Sequence, residues 1–481
     1  MKYAAFQSPW EGPPRLNHPS VYGASPNKPF LYKLPCAGQR PMTFSVGRPL
    51  PQGLCLDRVS GVISGICPIE TDEQFLISAE NSLGRCEKKL RLLIRPDGIL
   101  RTPLMGFTSW NAFGGNVSQA DIRKTADGIA RIGLNCFGYS YVNIDSGWQG
   151  HYDERSRAIA PNERFPDMPG LVAHIHALGL KAGIYSTPMQ KAWGGEDLPG
   201  CTRGYLDPRY ADTPYGIAKD HREPENAAQW AAWGIDYLKY DWRPCDTENA
   251  EKMKQALLAA GRDFGFCVTV NAGYSDVEYW KTHCSSWRDN ADSRADWINV
   301  RDNRFSADKW ALVSAPGHFF DLDMLETGKQ TTRHAAGCLT EDEQFLAYTI
   351  RAVFPSPLQI SCDVGTLTDR DLALLCNEEV IAVNQDALGK GAVCIDEHVT
   401  RDASGNIRLW TKVYAKELEN GSRAIALFNL GEEQSALNFD AADCLVRDLW
   451  AKENISQGGR ISVTLDKHSA RLFKLSARTG T

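Results

Sequence analysis

The chain has no uninterrupted apolar run of about 20 residues, so no segment reads as a helix able to cross a bilayer. It has no basic field: 53 Lys and Arg against 59 Asp and Glu leave a net charge of -6, scattered along the sequence, which argues against nucleic acid as a partner. Cysteine is thin, 14 in 481 residues, and no CxxC pair with zinc spacing occurs. The close pair His174 and His176 falls in a helical pattern, where residues two apart point in different directions. No metal and no cofactor are therefore expected. Residues 1–14 are polar and Pro-rich and lack the apolar segment of a signal peptide, so a cytoplasmic location is the expectation unless a leader was removed. Cys36, Cys55, Cys67 and Cys86 crowd into the first hundred residues, and bridges among them stay open, although a reducing compartment disfavours them.

What is present is a phrase used four times: a helical stretch, a glycine, then an apolar strand ending in polar residues. Gly133 leads into 139–145, Gly179 into 181–186, Gly234 into 236–241 and Gly265 into 266–271. Glycine closes a helix in the left-handed conformation, and a short apolar run after it reads as a strand buried on both faces. Ser118 and Asp121 form a capping box ahead of a helix, and the stretches 168–178 and 227–233 repeat the amphipathic design. Strands near 105–110, 139–145, 181–186, 236–241, 266–271, 285–291, 318–324 and 358–362 make eight βα units, which predicts a TIM barrel. In such a barrel the chemistry gathers at the carboxyl ends of the strands, which here carry Asp145, Asp241 and Asn271. Thirteen Trp and sixteen Tyr suit sugar faces, though most serve as core filling.

At 481 residues the chain exceeds the roughly 250–300 at which a single core stops growing. Residues 1–100 lack the βα phrase and show short runs broken by turns, a β-sandwich pattern. Their stretch 50–65 resembles the immunoglobulin-like module attached to many bacterial carbohydrate-active enzymes. Residues 101–390 carry the barrel. Residues 391–481 return to alternating strands, at 407–414, 422–429, 445–448, 461–465 and 470–475, which predicts a C-terminal antiparallel β-sandwich.

Two carboxyl groups facing each other over a pocket are the usual machinery for cleaving a glycosidic bond. Asp241 ends the fourth strand and Asp292 follows the sixth. Either alone reads equally well as a helix cap or ion-pair partner, and the pair is more persuasive than either member. Lys239 shares a strand face with Asp241 and would help keep it ionised, whereas Asp292, as proton donor, would need a raised pKa. A barrel acting on phosphorylated metabolites would want a glycine-rich loop after strand seven or eight, and Gly365-Thr366 is too little for that.

The run Thr102-Pro103-Leu104-Met105-Gly106-Phe107-Thr108-Ser109-Trp110-Asn111-Ala112-Phe113 resembles the opening motif of the α-galactosidases and α-N-acetylgalactosaminidases of glycoside hydrolase family 27. The likeness continues in family order through Tyr141–Asp145, Gly183–Ser186, Tyr237–Asp241, Trp287-Arg288 with Asp292, Asp321–Leu325 and Ile381–Asp386. It implies that Asp241 is the nucleophile of a retaining exo-glycosidase and Asp292 its general acid/base. It further implies that Trp110, Asp145, Tyr185, Lys239, Arg288 and Asp323 line the sugar pocket, together with the departures Ser146, Trp242 and Asn271. Ser146 stands where relatives have a second acid, and Asn271 where many have a group that reads the sugar's 2-position. Trp242-Arg243-Pro244 replaces a smaller cysteine-bearing turn, and a Cys201–Cys245 bridge would be a substitute for the one lost with it. The expected substrate is a carbohydrate with a terminal α-galactoside, with a β-L-arabinopyranoside or α-N-acetylgalactosaminide as alternatives. An inactive carbohydrate-binding protein is the alternative from another class.

Overall fold

The computed structural model describes residues 3–195, 197–329, 339–455 and 459–477. Its centre is an eight-stranded parallel sheet curled into a TIM-like barrel. In chain order the strands are β1 (Met105–Thr108), β2 (Tyr141–Ile144), β3 (Lys181–Ser186), β4 (Tyr237–Asp241), β5 (Gly265–Thr269), β6 (Ser286–Trp287), β7 (Phe319–Phe320) and β8 (Leu358–Ile360). Neighbours run β7-β6-β5-β4-β3-β2-β1-β8. The Leu325 amide, just past β7, donates to the Gln359 carbonyl of β8 at 2.8 Å, bringing the two ends of the sheet together.

The helix-Gly-strand phrase forms at three of its four places; at the fourth, Gly265 opens β5 itself and Gly261, at φ 81°, takes the left-handed position after the helix Thr247–Ala259. Ser118 caps Gln119–Ile132 in a reciprocal box with Asp121, and Gly133 closes that helix at φ 89°. Gly234 does the same for Glu223–Trp233 at φ 90°. Each turn sits at the amino-terminal end of the barrel, so the strands deliver their last residues to the opposite mouth.

The amino-terminal residues form two small sheets, one of Val21–Ala24, Gly84–Ile94, Thr71–Asn81 and Thr43–Val46, the other of Pro29–Lys33, Val62–Ile66 and Leu54–Leu56. Phe30, Phe44, Ile63, Phe75, Ile77 and Leu90 share one core between them. This unit docks on the amino-terminal end of the barrel: Asn17 donates to the Cys136 carbonyl at 2.8 Å, the Ser25 amide to Asp263 at 2.8 Å, and Lys33 packs over Gly179. It therefore sits at the end away from the acids.

The carboxyl-terminal antiparallel β-sandwich pairs a six-stranded sheet with the two-stranded ribbon Ser435–Ala441 and Gly459–Leu465. Its strand Ser469–Ala477 and the strand Arg423–Asn429 pack on the barrel helix Glu341–Val353, and Phe428, Trp450 and Leu472 join the barrel core. Among the described residues no helix is long and apolar enough to cross a membrane. The open question on cysteines resolves toward thiols. Cys36, Cys55, Cys67 and Cys86 are unbridged, Cys201 contacts the Ser186 hydroxyl at 3.1 Å, and Cys245 donates to the Val270 carbonyl at 3.0 Å. The Cys201–Cys245 bridge is thus absent, each sulfur being engaged elsewhere.

A charged triad is buried beneath the segment that follows β7. Glu326 accepts from Arg304 at 2.8 Å and from Arg351 at 2.9 Å, and Arg351 also donates to the carbonyls of Leu322 and Met324. Removing the shared anion leaves two guanidinium groups uncompensated in the interior. Glu326→Gln should therefore destabilise the protein by about 3–5 kcal/mol, read by chemical denaturation. A loss below about 1 kcal/mol would show the triad to be dispensable.

Candidate active site

The carboxyl ends of the strands open into one cavity of about 960 Å³, at the upper end of the roughly 300–1,000 Å³ typical of small-molecule sites. Trp110, Asp145, Ser146, Tyr185, Lys239, Asp241, Asn271, Arg288 and Asp292 all line it. Most of the sequence-derived set thus meets in one place.

Asp145 anchors the wall. It accepts from Lys239 Nζ at 2.8 Å and from Thr108 Oγ1 at 3.2 Å, while its own amide donates to Ser109 Oγ at 2.9 Å. The next residue, Ser146, points its hydroxyl at the Trp193 carbonyl, so it ties down a neighbouring loop where an acid would present charge. Gly194 lets that loop press on Trp110, because a Cβ there would lie 2.9 Å from the indole.

Lys239 and Asp241 share a face of β4 and both reach the cavity, as period-two alternation requires. Burial works against the Lys239 charge, but Asp145, Asp241 and Asp323 hold its pKa above the ordinary value. For Asp241 burial wins. Its pKa is pushed up to about 7, against the pull of Lys239 and Arg288, and the negative charge of Asp292 adds to the rise. Lys239 does pull the carboxyl toward its ionised form, as its place on the strand leads one to expect, but burial outweighs that pull.

Asp292 shows the reverse of its expected tuning. Partial burial would raise its pKa, but both Nη atoms of Arg288 donate to Oδ1 at 3.0 Å and hold it below the ordinary value. Its side chain is 48% exposed, so water shares in solvating the charge. Arg288 is fixed in turn by Thr269 Oγ1 at 2.8 Å and by Asp323 at 3.3 Å.

Two residues of the sequence-derived set do not reach the cavity. Trp242 is fully buried on the other face of the chain, donating to Asp246 at 3.1 Å and packing against Tyr240 at 5.2 Å between ring centroids. The alternation that turns Asp241 inward turns Trp242 outward. Asp323 lies one layer below the cavity wall, accepting from the Ser293 amide at 2.7 Å and from Arg288, so it braces the pocket and does not face it. Conversely, Trp193, Tyr215, Arg243, Arg294 and Met324 line the cavity and escaped the sequence reading. For Trp193 and Tyr215 a signal existed: about fifty residues separate β3 from β4, and long loops at that end of a barrel carry function.

A pocket at the mouth of a parallel barrel lined by two aspartates, one ending a strand and one on the loop after β6, is the layout of a glycoside hydrolase. The comparisons agree. Residues 102–386 match the family described as "Alpha galactosidase A", and residues 410–475 match "Alpha galactosidase C-terminal beta sandwich domain". An alpha-galactosidase of Oryza sativa subsp. japonica is 30% identical over 397 residues, 79% of this chain and 86% of the rice protein. A Bacteroides fragilis structure, itself only provisionally assigned as an alpha-galactosidase/melibiase, is 27% identical with a TM-score of 0.84 over 98% of this chain and 99% of that one. The family 27 β-L-arabinopyranosidase of Geobacillus stearothermophilus is 25% identical, with a TM-score of 0.68 over 79% of this chain and 98% of its own. This chain belongs to glycoside hydrolase family 27, the α-galactosidase family.

Proposed function

We propose that this protein is a retaining exo-glycosidase that removes terminal α-galactosyl residues, with Asp241 as nucleophile and Asp292 as general acid/base. The observation that carries the reading is that both carboxyl groups line one cavity together with Lys239 and Arg288. Asp241 would attack the anomeric carbon while Asp292 protonates the departing oxygen. A water activated by Asp292 would then release the sugar from the covalent intermediate. With Asp241 up at about 7 and Asp292 low, the pair holds one proton across that interval. The productive form is the one in which this proton sits on Asp292. Asp145, Tyr185 and Lys239 supply hydroxyl partners, and Trp110 supplies an aromatic wall. A panel of aryl glycosides tests the assignment: turnover of the α-galactoside supports it, and silence on every member favours a carbohydrate-binding protein without activity.

The reading extends to the domains, with boundaries at 1–100, 101–390 and 391–481 and an immunoglobulin-like sandwich as the first. Its two facing sheets and single core support that description. Docked at the amino-terminal end of the barrel, this domain serves the barrel's stability and not substrate contact.

A second reading, a β-L-arabinopyranosidase, is favoured by Ser146, whose hydroxyl is engaged with Trp193 and offers no charge to a sugar's exocyclic hydroxymethyl group. Ser146→Asp should then raise kcat/KM on the galactoside relative to the arabinopyranoside by about tenfold, the worth of one charged hydrogen bond. An unchanged ratio would remove Ser146 from the specificity argument.

A further inference from the structure

Asp241-Trp242-Arg243 and Asp292-Ser293-Arg294 place an arginine two residues beyond each acid, and both arginines line the mouth of the cavity. Both are exposed. Neither guanidinium meets a carboxylate among the described residues, whereas Arg209, Arg222 and Arg301 each do. Arg243 is positioned: its guanidinium carbon lies 5.1 Å over the Trp193 ring, which in turn packs on Tyr215 at 4.9 Å. A guanidinium laid on an aromatic face keeps its N–H edge available to a planar or tetrahedral anion.

Deeper in the cavity Asp145, Asp241 and Asp292 face Lys239 and Arg288, so a neutral sugar at the base calls for no further cation. Beyond Tyr215 lies a second cavity of about 890 Å³, but there Lys191 pairs with Asp197 and Arg203 with Glu154. Among the described residues, positive charge without a carboxylate partner is thus concentrated at the level of Arg243 and Arg294, just past the two acids. If the pocket is the exo-glycosidase site read above, the anomeric carbon sits between Asp241 and Asp292, and groups immediately outside them meet the leaving group. We propose that the leaving-group side of this pocket takes an anionic sugar, one bearing a carboxylate or a sulfate ester, held by Arg243 and Arg294. The natural substrates are then α-galactosides attached to acidic glycans and not neutral galacto-oligosaccharides.

Three aryl α-galactosides test this on the full chain: 3-carbamoylphenyl as the neutral probe, and 3-carboxyphenyl and 3-sulfophenyl as the anionic ones. The wild type should prefer at least one anionic probe over the neutral one by about tenfold in kcat/KM, the scale of a charge-assisted hydrogen bond. A preference for the carboxylate points to a uronic acid and a preference for the sulfonate to a sulfated sugar. The preference should shrink toward one as salt is raised to about 0.5 M, and fall several-fold in Arg243→Gln and in Arg294→Gln. Wild-type ratios near one, or a preference that survives both substitutions and high salt, would overturn the proposal. Binding of the same probes to Asp241→Asn by calorimetry separates the two readings. A charge-selective site without turnover in the wild type would reject the glycosidase assignment and keep this one, and turnover without charge selectivity would do the opposite.

Discussion

Asp241→Asn is expected to abolish turnover of every glycoside, by about 10⁴-fold or more, because an amide cannot form the covalent glycosyl intermediate. The same substitution should stabilise the fold at alkaline pH. Asp241 has its pKa pushed from 3.8 to about 7, so the folded state holds this proton more tightly than the unfolded chain does. The group's contribution to wild-type stability is therefore complete below pH 3.8 and is lost progressively as pH rises toward 7, beyond which the penalty for a buried charge is constant. Asparagine carries no charge at any pH. The attraction of Lys239 and Arg288 that the variant forgoes is already contained in the value of about 7. Thermal midpoints of variant and wild type should coincide near pH 4 and separate by a few degrees in the variant's favour at pH 8. Residual activity would remove Asp241 from the nucleophile role, and a variant less stable than wild type at pH 8 would mean that its counter-charges outweigh its burial.

Asp292→Ala is expected to depend on the leaving group. Substrates whose aglycone needs a proton should lose about 10²–10⁴-fold, while an aryl glycoside with a highly acidic phenol should still form the intermediate at a rate close to that of the wild type. Release then becomes limiting because no base activates water. Added azide should restore turnover and yield a glycosyl azide of retained configuration, identified by NMR. The substitution leaves Arg288 still paired with Asp323 at 3.3 Å and with Thr269, so the loop should keep its shape. In the wild type the shared proton leaves the pair near pH 7, so kcat/KM should fall as pH rises through that value. Equal damage on good and poor leaving groups, with no azide product, would assign Asp292 to structure.

The local phrase of helix, glycine and apolar strand marked the middle strands of the barrel, and with four further short apolar runs it made the eight strands legible, together with the mouth at which Asp145, Asp241 and Asn271 emerge. Helix closure and two-sided burial are local properties, written in adjacent residues. The exposed strand Val393–Arg401 escaped for the converse reason: nearly every position faces water, so no alternation marks it. Period two also carried Lys239 to the side of Asp241, and applied one residue further it sends Trp242 away from the pocket. The balance of charge in the pocket was decided by tertiary structure alone. Asp292 is held low by Arg288, four residues away in sequence but fixed in place by Asp323 beyond β7, and Asp241 is raised by a burial that its neighbours in sequence do not reveal. Electrostatic tuning sums contributions through space and depends on how far water is excluded, and neither quantity is a property of any stretch of chain.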